Sequence, residues 1–98
     1  MGRLTTHILD TASGSPAAGV PVELYALSGD NRERIVATST NDDGRCEAPL
    51  LDGDSFQTGV YELLFHVGDY LRARGEDLPS PAFLDVVPIR FGIASPDE

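Results

Sequence analysis

Residues 58–67, Thr-Gly-Val-Tyr-Glu-Leu-Leu-Phe-His-Val, constrain the fold more than any other stretch of the chain. Successive side chains of a strand point to opposite faces, so Tyr61, Leu63, Phe65 and Val67 form one row and Val60, Glu62, Leu64 and His66 the other. Both rows are largely apolar, which predicts a strand in the middle of a sheet. Its neighbours come from residues 4–12, 21–27, 34–40, 45–48 and 83–93, which are rich in alternating or β-branched residues and bounded by Gly, Pro, Asn or Asp. The pattern predicts about six strands, spaced as in an all-β sandwich.

Residues 4–12 (Leu-Thr-Thr-His-Ile-Leu-Asp-Thr-Ala) put Leu4, Thr6 and Ile8 on a core face and Thr5, His7 and Leu9 on the opposite one. On pattern alone, a histidine held out on a sheet surface is more often solvated or satisfied than catalytic. In residues 21–27, Val22, Leu24 and Ala26 alternate with Glu23, Tyr25 and Leu27, and Ser28-Gly29-Asp30-Asn31 has the chemistry of a hairpin loop. Residues 50–57 read as a loop. One short helix is predicted over residues 68–75, with Asp69 as N-cap and Gly75 as terminator, followed by a stiff connection containing Pro79 and Pro81. Pro88 cannot donate to a ladder, so it marks a bulge or an unpaired edge in the last strand. His66 reads as an ordinary strand-end histidine.

Ninety-eight residues make a single domain. Sixteen acids face seven bases, all of them Arg, for a net charge of −9. That balance argues against nucleic-acid and anionic-membrane partners, which need clustered positive charge. Cys46 is the one cysteine, so no intrachain disulfide forms, and with no signal-like apolar segment near residue 1 the expected compartment is the cytoplasm. The turn Asn41-Asp42-Asp43-Gly44 lacks the alternating ligands and closing Glu of a calcium loop, so no metal is expected. Cys46 alternates with Arg45 and points toward the core as an inert thiol. Neither a nucleophile elbow, a phosphate-binding glycine loop nor a Cys/His metal pattern is present, and no cofactor is implied.

Five segments together resemble the transthyretin-related 5-hydroxyisourate hydrolase family: residues 4–12, 16–27, 37–45 with Thr-Asn-Asp-Asp-Gly-Arg, 58–71 with Tyr-Glu-Leu-Leu-Phe-His-Val-Gly-Asp-Tyr, and 83–93. The resemblance implies a prealbumin-like, transthyretin-like β-sandwich that self-associates as a dimer of dimers. It implies hydrolytic ring opening of 5-hydroxyisourate, a cyclic amide, in urate and purine breakdown. It assigns His7 and Arg45 to the active-site cleft, as catalytic and substrate-binding residues. Attack of water on a ring carbonyl needs a base and a donor for the developing oxyanion, so His7 is expected as base or water-orienting group and Arg45 as anchor and charge stabiliser. The family pattern continues with a strand bearing a second active-site His and a last strand ending in Tyr-Arg-Gly-Ser. Neither is in this sequence, which ends at Glu98, so the expectation is a C-terminally incomplete domain with weakened activity and altered assembly. Two other readings share the fold: a non-catalytic binding or interaction module, favoured by the missing tail, and a carrier of hydrophobic ligands, opposed by the polarity of His7 and Arg45.

Overall fold

The computed structural model describes residues 2–10, 13–82 and 84–95. In chain order the strands are β1 (Arg3–Leu4), β2 (Leu9–Asp10), β3 (Ser15–Pro16), β4 (Pro21–Ser28), β5 (Asn31–Ser39), β6 (Leu51–Asp52), β7 (Gly59–His66) and β8 (Val86–Ile93). A 3-10 turn, Gly53–Ser55, follows β6, and helix α1 (Val67–Ala73) follows β7.

Four strands form one antiparallel sheet in the order β5-β4-β7-β8. The interior place of β7 is the one its two apolar rows predict. Ser28 pairs with Asn31, leaving Gly29 and Asp30 as a two-residue loop, and Gly29 takes the positive φ of 60° that this tight connection requires. The outermost strand, β8, carries Pro88 opposite Leu64. A missing N–H is tolerated there because, among the described residues, no ladder runs along the far edge.

One face of the sheet makes the core. Val22 and Leu24 are completely buried, and with Tyr61, Leu63 and Ile93 they meet Leu50, Leu51 and Phe56 from the opposing layer. Leu4, Ile8 and Cys46 close over the same cluster. Burying a side chain such as Leu24 contributes about 2–3 kcal/mol, so this contact holds the layers together. The opposing layer is built from two small antiparallel pairs, β1 with β6 and β2 with β3. Beneath α1, Tyr70 packs with Ala17 and Val20 in a second buried cluster.

Several sequence expectations are corrected by tertiary pairing. Residues 4–12 are not one continuous strand. They pair in turn with Leu51–Asp52, with Arg45 and with Ser15–Pro16, and each short partner supports only a short ladder. Burial nonetheless alternates from Arg3 to Asp10 as predicted, with Leu4 and Ile8 on the core. (Thr11 and Ala12 lie outside the described residues.) The expected strand over residues 45–48 shrinks to one bridge at Arg45, and the pairing moves to Leu51–Asp52, within the predicted loop. β5 begins at Asn31 instead of Arg34 because the hairpin loop is so short. The last strand starts at Val86, and Phe83 lies outside the described residues. Helix α1 leaves β7 directly, so His66 occupies the N-cap and Asp69 falls in the first turn. The described residues therefore hold eight strands, not six, because the smaller layer is broken into short pieces. The second row of β7 is less buried than expected: Val60 is 47% exposed, while Glu62 binds Arg32 and Arg90.

Candidate active site

The turn before Arg45 is nailed down at both ends. Thr40 is buried; its hydroxyl donates to the Ala17 carbonyl at 2.6 Å and accepts from the Val20 N–H at 2.9 Å. Within the turn, the Gly44 N–H donates to the Asn41 carbonyl at 2.9 Å, and Asn41 Oδ1 accepts from the N–H groups of Asp43 (2.9 Å) and Arg45 (3.2 Å). At the far end Gly44 has φ 77°, and a Cβ there would overlap the Ile8 carbonyl oxygen. This close approach lets the Ile8 N–H donate to the Gly44 carbonyl at 2.9 Å.

That contact sets the register in which His7 faces Arg45 as an antiparallel bridge. The Arg45 guanidinium reaches across, with Nη2 3.4 Å from His7 Nδ1. A guanidinium only donates, so the contact fits the imidazole tautomer with its proton on Nε2 and its lone pair on Nδ1. At this length the bond is weak and leaves both side chains free to engage a ligand. Both residues are exposed.

Two hollows flank the pair. One, of about 360 Å³, is lined by His7 with Thr6, Ile8, Leu9, Phe65, Val67, Val87 and Ile89, and is chiefly apolar. The other, of about 290 Å³, is lined by Arg45 with Arg3, Thr5, Thr6, Cys46, Glu47, Ala48 and Pro49. The arrangement offers a base, a planar cation and an apolar wall to a small flat molecule.

The remaining candidates do not join the pair. Cys46 packs against the core cluster, as its alternation with Arg45 predicts, and burial pushes its thiol up from the ordinary value. A thiol held protonated is a poor nucleophile. His66 is on the outer face of the main sheet, with Nε2 2.7 Å from Glu23 Oε1. Among the described residues no group of three or more His, Cys, Asp or Glu side chains converges to hold a metal. No described helix is long and apolar enough to cross a membrane. Sequence reasoning missed Asn41, whose signal was an Asn placed so that its short amide can fold back on the turn it begins.

Known proteins resemble the chain in sequence and in fold. The chain is 58% identical over 98 residues to a 5-hydroxyisourate hydrolase of Pseudomonas aeruginosa, covering 100% of this chain and 78% of that protein. The crystal structure of an (S)-allantoin synthase superposes with a TM-score of 0.90 at 41% identity, covering 99% of this chain and 37% of that one. The structure of Klebsiella pneumoniae 5-hydroxyisourate hydrolase gives a TM-score of 0.78 at 30% identity, covering 97% of this chain and 81% of that one. A profile of the HIUase/Transthyretin family matches residues 4–98, and the chain belongs to that family.

Proposed function

We propose that the protein hydrolyses 5-hydroxyisourate, opening a cyclic amide in urate breakdown, with His7 and Arg45 as its catalytic pair. The observation that carries the assignment of residues is the approach of Arg45 Nη2 to His7 Nδ1 at 3.4 Å. The reaction itself is supported by relatives named 5-hydroxyisourate hydrolase at 58–60% identity.

The chemistry follows from where the two groups point. The lone pair of His7 Nδ1 and an N–H of Arg45 face each other at 3.4 Å, so a ligand entering between them would meet both groups. A ring carbonyl held by the guanidinium would have its attacking water within reach of that lone pair. His7 takes the proton from the water as its oxygen bonds to the carbonyl carbon, and Arg45 stabilises the oxyanion that forms. The proton then passes to the departing ring nitrogen as the C–N bond breaks. The planar guanidinium also suits a flat, oxygen-rich heterocycle, and the apolar wall formed by Phe65, Val87 and Ile89 suits its face. The scheme uses no cofactor or metal.

The same reading includes self-association as a dimer of dimers, a homotetramer in the cytoplasm. What supports self-association is the apolar surface exposed at Leu9, Val60, Leu84, Val86 and Ile89. The decisive experiment follows the ultraviolet absorbance of freshly generated 5-hydroxyisourate. The folded chain accelerates its decay, and His7→Ala lowers kcat/KM by about 100-fold or more, as for loss of a general base. A folded chain that adds nothing to the buffer rate refutes the assignment and leaves the non-catalytic module.

A further inference from the structure

We propose that Asn41 is a positioning residue that fixes Arg45 for the reaction; the inference rests on the reading of Arg45 as the group that anchors substrate. Both main-chain polar groups of Arg45 end on Asn41. The Arg45 N–H donates to Asn41 Oδ1 at 3.2 Å, and the Asn41 N–H donates to the Arg45 carbonyl at 2.7 Å. The same Oδ1 accepts the Asp43 N–H at 2.9 Å, so one side-chain oxygen gathers two donors across a solvent-facing turn. An Arg side chain is long and flexible, and its head is placed only as well as its Cα is held. Gly44 pins the turn to Ile8 and the Asn41 N–H holds the Arg45 carbonyl; the Asn41 side chain adds the bond that fixes the Arg45 N–H.

The choice of amide over carboxylate has a reason in the surroundings. Asn41 Nδ2 donates to Glu47 Oε1 at 3.2 Å, and Asn41, Asp42, Asp43 and Glu47 line one hollow. An Asp at position 41 would accept the same two N–H groups but would add a further negative charge beside three carboxylates. It would face Glu47 without a donor and draw the Arg45 guanidinium away from His7. Asn supplies the acceptor without that competition.

The test has two readouts on the full chain. In hydrogen exchange, Asn41→Ala speeds exchange of the Asp43 and Arg45 amides by about tenfold or more through local opening, while Asn41→Asp, which keeps the acceptor, leaves them protected. In turnover of 5-hydroxyisourate, Asn41→Ala lowers kcat/KM by about tenfold when Arg45 is present and has no further effect in Arg45→Ala, because the lost positioning acts only through Arg45. Unchanged Arg45 exchange in Asn41→Ala overturns the proposal, as does an equal loss of activity with and without Arg45. If exchange responds as stated but Arg45→Ala turns over substrate normally, positioning stands and the catalytic role of Arg45 fails.

Discussion

Glu23 on β4 and His66 at the end of β7 are joined across the sheet by a 2.7 Å contact between Oε1 and Nε2. Glu23 Oε2 also accepts from the Tyr25 hydroxyl at 3.0 Å and from Arg34 Nη1 at 3.4 Å. These bonds, that to His66 foremost, hold the Glu23 carboxyl below the ordinary value of 4.5, and the same carboxylate pushes the Tyr25 phenol up. The folded chain thus binds a proton at Glu23 less readily than the unfolded chain. The resulting stabilisation is fully present above pH 4.5 and is lost as pH falls through the folded value. Glu23→Gln is expected to lower stability near neutral pH by about 1 kcal/mol, since the group is part-exposed. Urea midpoints for the two proteins should converge as the pH is taken below 4.5.

Arg45 offers a planar, bidentate donor where a point charge would serve less well. Arg45→Ala is expected to lower kcat by about 100-fold or more, the loss seen when an oxyanion donor is removed. Arg45→Lys should recover only part of that loss, because an ammonium cannot reproduce the guanidinium fork. Steady-state kinetics on both variants decides this. Full recovery by Lys would reduce the role of Arg45 to charge alone.

Thr40 should be intolerant of a nearly isosteric change. Its hydroxyl serves both the Ala17 carbonyl and the Val20 N–H in a buried setting. Thr40→Val fits the volume but leaves both groups unpaired, for an expected cost of about 2–3 kcal/mol measured by denaturant unfolding.

Gly44 ties the turn to the segment carrying His7. Gly44→Ala must adopt φ 77° and displace the Ile8 carbonyl. The expected destabilisation exceeds about 2 kcal/mol, from left-handed strain plus the lost approach. Nuclear Overhauser contacts between the residue 44 turn and Ile8 should weaken along with thermal stability. A variant as stable as the parent would show that the turn can dock without this close contact.

Local pattern made much of the architecture legible. The alternation of Val22 and Leu24 with Glu23 and Tyr25 corresponds to the four-stranded sheet because period-two hydrophobicity is itself the cause of one-sided burial, and the apolar content of residues 60–67 corresponds to the interior place of β7. The smaller layer was less legible. Residues 4–12 have the composition of one strand, but whether a strand is continuous depends on the partners that reach it, and these arrive from three separate parts of the chain.

The site divides in the same way. Sequence alone determined that His7 sits on the exposed face of its segment, that the Asn-Asp-Asp-Gly turn delivers Arg45, and that Cys46 turns inward, since each follows from alternation or turn chemistry. Only the tertiary structure decided that Arg45, 38 residues away along the chain, lies against His7. It likewise decided that His66 binds Glu23 across 43 residues and that Asn41 holds both main-chain groups of Arg45. The physical reason is that periodicity says which way a side chain points, whereas the register between distant segments is set by close packing such as that of Gly44 on Ile8.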